Sequence, residues 1–163
     1  MFDLVTVGHF AIDLILSSGI AVPRHTLGGP PTYVSLAARK LGAKVSVISK
    51  VGKDFSEDYI AWLNANGIDL SSVQRIKNAL TTSFTLNYKN EERQLQLRSR
   101  APPIVPEDVP DSLQAKVIHV APIANELSGD VVDKLRTSAE ILSLDPQGFV
   151  RSLMRMETSY RRD

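Results

Sequence analysis

Asp13 is set inside the apolar run from Phe10 to Leu16, where an ionised carboxylate is costly to keep without partners. A carboxylate accepts from two donors at once, so Asp13 is either a grip on two ligand hydroxyls or a cap on neighbouring backbone N–H groups. Gly28 and Gly29 stand directly before a helical pattern. They let a ligand approach the backbone closely, or they make only a tight strand-to-helix turn. A helix N-terminus favours anions, but Pro30 and Pro31 remove two of the donors a phosphate cradle would use, and the lysine and hydroxyl of a P-loop are missing. A small, neutral, hydroxyl-rich ligand fits better. Gly52 and Asp54 form a turn at one strand end, Asp145 and Gln147 at another, and α/β sheets place ligands just past strand ends. Both pairs are open to the alternative of a purely structural turn. Arg98 and Arg100, just past a hairpin, reach either the ligand or solvent. His9, His25 and His119 lack an i, i+4 pair or a neighbouring ligand cluster, so no metal site is expected, although His9 ends a strand and is placed to touch a ligand.

These residues need elements to hold them. Leu4 to Val7 is a short β-branched strand ending at Gly8. Val34, Ala37, Ala38 and Leu41 recur at helical spacing, with Pro31 suited to the first helical position and Gly42 to the stop. Lys44 to Val51 is a second strand, and Phe55, Tyr59, Trp62 and Leu63 give a second helical stripe, expected in the core and closed by Asn66 and Gly67. Leu80 to Tyr88 and Gln94 to Arg98 alternate with period two around a polar turn over 89–93, an amphipathic β-hairpin with one wet face. Ala101 to Pro110 holds four prolines and is expected to be an extended connector. A third strand over Lys116 to Ala121, a helix carrying Leu127, Val131, Val132 and Leu135, and a fourth strand over Ile141 to Asp145 complete the pattern. Strands alternating with helices predict an α/β fold, a parallel sheet with helices on both faces and a small β extension.

Composition narrows the function. The chain has 163 residues, 43% of them hydrophobic, and a formal net charge of +1, so it buries a real core and carries no general attraction for nucleic acid or an acidic membrane surface. Four arginines (Arg151, Arg155, Arg161, Arg162) fall in the last thirteen residues. With no cysteine, disulfides and thiolate metal sites are excluded. No apolar run approaches the roughly 20 residues needed to span a bilayer, and the expected compartment is the cytoplasm.

The ordered series Gly8-x4-Asp13, Gly28-Gly29 opening a helix, Leu41-Gly42-Ala43, Val51-Gly52-x-Asp54 and Asn66-Gly67-Ile68 resembles the N-terminal half of the ribokinase-like (PfkB) carbohydrate kinases. The resemblance covers residues 1 to about 150. It implies a Rossmann-like, ribokinase-like parallel sheet with a small β lid built from strands near 10–28 and 80–100. Such a lid closes over a sugar, excludes water from the phosphoryl acceptor and mediates homodimer contacts. A sugar or polyol substrate, ATP and Mg2+ are implied with it. By the same resemblance Asp13 holds sugar hydroxyls and Gly52 lies beside the substrate; Gly28, Gly29, Tyr33, Arg98 and Asp145 complete the expected substrate-binding set. Tyr33 stands where the family usually has an asparagine, which changes the pocket's size and hydrogen bonding. Together with Leu144-Asp-Pro-Gln-Gly-Phe149, it is similar to archaeal-type members that act on inositol-like polyols.

The family's Asn-x-x-Glu motif, which organises magnesium and phosphate, and its Gly-x-Gly-Asp motif, which supplies the general base, do not occur in this sequence; the fifteen residues after Gly148 hold no glycine. The expectation is therefore an incomplete domain with the substrate side of the site but not the ATP side, without a catalytic residue of its own and inactive alone. The rival reading is a non-enzymatic polyol-binding or interaction module. A nicotinamide-binding domain is disfavoured because no Gly-x-Gly-x-x-Gly follows the first strand.

Overall fold

The computed structural model describes residues 1–17, 24–89 and 92–151. Part of the first lid segment (18–23), the tip of the polar turn (90–91) and Arg155, Arg161 and Arg162 lie outside the described residues. The elements run β1 (Phe2–Val7), β2 (Ala11–Ser17), β3 (Arg24–Gly28), α1 (Pro30–Lys40), β4 (Val45–Gly52), α2 (Glu57–Ala65), β5 (Ile68–Ile76), β6 (Thr82–Lys89), β7 (Glu92–Ser99), β8 (Ala115–Val120), α3 (Gly129–Arg136), β9 (Ala139–Leu144) and α4 (Gln147–Val150).

Five strands form a sheet in the order β5-β4-β1-β8-β9, every pair parallel. One face packs Val5, Val7, Ile48, Ile118 and Val120 against Val131 and Leu135 of α3 and against Ile104, Val109 and Leu113 of the proline-rich segment. The other packs Val47, Val51 and Ile68 against Leu36 of α1 and Tyr59, Ile60 and Leu63 of α2. Helices thus cover both faces, as the alternating pattern requires. Each fully buried Val or Leu contributes about 1.5–3 kcal/mol, so these two clusters hold the sheet.

A second, four-stranded sheet has the order β3-β2-β6-β7. Its outer pairs are antiparallel, while its central pair, β2 with β6, is parallel and joins Ala11 to Thr82 through Ser17 to Tyr88. This sheet is the small β extension expected from the hairpin.

Four local expectations are corrected. Helix α1 starts at Pro30, so Pro30 and not Pro31 takes the first position. Its sheet-facing side is Pro31, Thr32 and Ser35; Ala37 is exposed and Leu41, just past the helix, is 89% exposed. The Ser35 hydroxyl meets the Thr6 hydroxyl of β1 there (3.4 Å), so the fully buried side of the helix is small and polar while Leu36 packs beside it. Of the second helical stripe, Phe55 and Leu63 are buried and Tyr59 packs against them as expected, and Trp62 instead faces solvent. The proline-rich segment is not extended throughout: Pro106–Asp108 forms a 3-10 turn, closed by the Val105 N–H donating to the Asp108 carboxylate (2.7 Å). That carboxylate also pairs with Lys50 (2.6 Å), both side chains 10% exposed, which fixes the segment to β4. Strand β5 was not anticipated; its sequence is largely polar because it is one of the two edge strands and half exposed.

Candidate functional site

A cleft of about 450 Å3 lies between the four-stranded sheet and the segments that follow β8 and β9. Its lining includes Asp13 on β2, Gly29, Pro30 and Tyr33 at the start of α1, Phe84, Leu86 and Tyr88 on β6, and Leu95 on β7. Ile123, Asp145, Gln147 and Arg151 close the side below β8 and β9. The strand period makes this wall: Asp13 pairs with Phe84 and Ile15 with Leu86, and neighbours in register share a face.

Of the residues singled out in the sequence, Asp13, Gly29, Tyr33 and Asp145 come together here. Gly28 stands beside them: a Cβ added to it would overlap the Asp13 carboxylate, whose Cγ would lie 2.8 Å away. The glycine thus makes room for that carboxylate to lie flat against β3. Gly28→Ala is expected to displace the Asp13 carboxylate, because the obstructing atoms belong to that side chain and not to the backbone. That displacement removes Asp13 from the cleft, so ligand affinity should drop at least tenfold in a calorimetric titration.

Gly52 and Arg98 do not join the cleft. A Cβ on Gly52 would strike the backbone of Ala79, Leu80 and Thr81, and the Gly52 N–H donates to Thr81 Oγ1 (3.0 Å). Asp54 completes that turn by accepting from the Thr81 N–H (2.7 Å) and hydroxyl (2.8 Å). Arg98 is exposed on β7, on the alternate side from Leu97, which packs toward Phe84.

The N-terminus of α1 offers little to an anion. Pro30 and Pro31 have no N–H, and Thr32 spends its own on the Gly29 carbonyl (3.0 Å) and its hydroxyl on the Gly28 carbonyl (2.7 Å). Opposite, Asp145 accepts from the Gln147 N–H (3.1 Å) and side-chain amide (2.9 Å), and Gln147 Oε1 accepts from Arg151 (2.7 Å). Arg151 also donates to the Ile123 carbonyl (2.8 Å) and lies 5.8 Å from the Phe84 ring centroid. Burial raises the Tyr33 hydroxyl above its usual pKa, helped by the negative Asp13 and by Tyr88, so Tyr33 stays a neutral donor at physiological pH. Arg151 and Phe84 were missed as site residues in the sequence, since only tertiary pairing brings them to Asp13.

His9 lies behind the cleft, fully buried. Its Nε2 faces the Pro102 carbonyl (3.1 Å), which only accepts, so Nε2 carries the proton and Nδ1 accepts from the Thr82 hydroxyl (2.7 Å). Burial holds its pKa below the usual 6.5, with Glu126 pulling the other way; burial lowers His119 too, against Asp145. A folded pKa below the unfolded one means that the unfolded chain takes up protons first as pH falls. Stability from these histidines is full above about pH 6.5 and is lost toward their lower folded pKa values. Asp3, Asp69 and Asp111, all held below the carboxylate norm, respond only in stronger acid. Denaturation midpoints should therefore fall between pH 6.5 and 5, and less steeply in His9→Gln.

Comparison with known proteins agrees with this architecture. The pfkB family carbohydrate kinase profile matches residues 1–149. The cytidine kinase of Thermococcus kodakarensis is 30% identical over 154 residues, covering 90% of this chain and 52% of that protein. The inositol 3-kinase of Oryza sativa subsp. japonica is 28% identical over 158 residues, covering 91% of this chain and 38% of that one. Among solved structures, a pyrophosphate-dependent kinase in the ribokinase family, complexed with a pyrophosphate analog and myo-inositol, aligns with a TM-score of 0.74 and 26% identity over 91% of this chain and 50% of that one. This chain spans about half the length of such relatives, or less. A ribokinase-like parallel sheet, a matched N-terminal region and an ordered run of glycine turns coincide over nearly every described residue: the chain belongs to the pfkB family of carbohydrate kinases.

Proposed function

We propose that this chain supplies the acceptor side of a kinase that phosphorylates a hydroxyl of a sugar or polyol, with ATP as donor. The observation that carries the reading is the cleft in which a carboxylate from β2, the Gly29 backbone and a carboxylate beyond β9 face one another beneath a β sheet. Asp13 accepts from two neighbouring hydroxyls, as a vicinal diol requires. Arg151, anchored on Ile123 and Gln147, donates to a third oxygen. The four-stranded sheet acts as a lid that keeps water from the acceptor. Among the described residues no group of three or more His, Asp or Glu side chains could hold a metal ion, and the family's magnesium and base motifs do not occur in this sequence.

A second reading of the acceptor is a ribonucleoside. It is favoured by Tyr33, Phe84 and Tyr88, three aromatic side chains in the cleft lining that suit a base while Asp13 holds ribose hydroxyls. It is also the substrate class in the name of the Thermococcus relative.

Titration calorimetry of the 163-residue chain with myo-inositol and with cytidine tests both. Binding of one probe is expected, unchanged by ATP with Mg2+ and without turnover. Phosphorylation is expected only from a longer chain that carries the Asn-x-x-Glu and Gly-x-Gly-Asp motifs. Binding of neither probe would overturn the assignment of the cleft, and binding with no turnover even in such a longer chain would favour a non-enzymatic binding module.

A further inference from the structure

Glu126 is 1% exposed, lies outside the cleft and has no part in the chemistry proposed above. Its carboxylate is nevertheless the meeting point of three backbone amides from two segments. Oε1 accepts from the His9 N–H (3.1 Å) and the Ile123 N–H (3.0 Å), and Oε2 from the Ile123 N–H (3.0 Å) and the Ala124 N–H (2.7 Å). Asn125 makes this possible by adopting φ 55°, which turns the loop back on itself so that its own amides point at the side chain that follows. Charged acceptors make the stronger hydrogen bonds, and these offset the cost of burying the group.

Each amide it holds belongs to a segment that shapes the cleft. The His9 carbonyl is the atom against which Gly29 is packed, 2.5 Å from where a Cβ would stand. The Ile123 carbonyl accepts from Arg151 (2.8 Å) and the Ala124 carbonyl from Arg100 (3.2 Å). Neither arginine has a carboxylate as its anchor in these contacts; their positions follow from where the loop is held.

We propose that Glu126 is a positioning residue of the cleft. By gripping the amides of His9, Ile123 and Ala124 it sets the separation between the Gly29 wall and the Arg151 wall, and so the fit of the hydroxylated ligand. This rests on the cleft being the acceptor site, and the test separates the two.

In Glu126→Gln the amide N–H groups replace one acceptor oxygen and oppose the loop's own N–H groups. Affinity for myo-inositol or cytidine, whichever the parent chain binds, should fall about tenfold or more, whereas Val131→Ala, a core change under α3, should keep parental affinity at a comparable loss of melting temperature. In an Arg151→Ala background the Glu126 substitution should cost little further affinity. NMR supplies a readout free of ligand: the Arg151 side-chain N–H and the Ile123 and Ala124 amide signals should move in Glu126→Gln and stay in Val131→Ala. Glu126→Asp, which keeps the charge but withdraws it by one methylene, takes its place if the Gln variant does not fold. Unmoved signals, or an affinity loss matched by Val131→Ala, would overturn the proposal. If the parent chain binds neither probe, the acceptor assignment fails, and the NMR comparison still decides whether Glu126 places Arg151.

Discussion

Gly29→Ala is expected to lower the melting temperature by roughly 6–12 °C, the effect of about 3 kcal/mol in a domain of this size. Two costs combine. Gly29 has φ 85°, a region that charges an L side chain about 1–2 kcal/mol. A Cβ there would also lie 2.5 Å from the His9 carbonyl oxygen and 3.0 Å from the Ala11 nitrogen. Both are backbone atoms, and the His9 segment is held in turn by Glu126 and, through the adjacent Phe10 N–H, by Ser49 (3.1 Å), so it has nowhere to retreat. Scanning calorimetry checks this directly. A melting temperature within 2 °C of the parent would mean that the Gly29 turn is pliable and that the packing attributed to it is wrong. The contrast with Gly28→Ala is the informative part, since a Cβ at Gly28 meets a side chain whereas one at Gly29 meets backbone.

The largest effect on ligand binding should come from Asp13→Ala. A hydrogen bond to a charged group is worth about 1.5–3 kcal/mol, so a carboxylate holding two hydroxyls accounts for about 3–6 kcal/mol, or a hundredfold to ten-thousandfold in affinity. The substitution should spare the fold, because Asp13 lines the cleft and the cores lie elsewhere. Asp13→Asn keeps the shape and one acceptor oxygen and should fall between parent and alanine. Equilibrium titration with the better of myo-inositol and cytidine gives the answer. Unchanged affinity in Asp13→Ala would remove the residue from the site under both the kinase and the binding-module readings.

How much of this was legible in the sequence follows from what each residue's signal depends on. Strands β1, β4 and β8, each paired on both sides, are short runs rich in β-branched residues and bounded by turn residues, and buried parallel strands have to look like that. Strand β5 is paired on one side only, so its residues answer to solvent and its pattern dissolves. The face of α1 was misjudged because Val, Ala and Leu at helical spacing outweigh Ser and Thr in any hydrophobic reading, whereas Thr32 and Ser35 are buried with hydroxyl partners at Gly28 and Thr6. Asp13 was recognisable because a lone carboxylate in an apolar run needs partners. Glu126, between Ala124 and Leu127, gives the same signal and was overlooked. Phe84 and Arg151 had no local signal at all, for their place in the cleft depends on which strand lies beside β2.

That pairing of β2 with β6 has a consequence for how the molecule assembles. The outer pairs of the four-stranded sheet, β3 with β2 and β6 with β7, join neighbours in the chain and cost little loop entropy to close. The seam between them links Ala11 to Thr82, with α1, β4, α2 and β5 all intervening. Closing so long a segment costs more loop entropy than either hairpin does, and the intervening chain's own folding offsets that cost. The four-stranded sheet is therefore not autonomous: its two antiparallel pairs are joined by a seam that exists only when the α/β chain between them is folded.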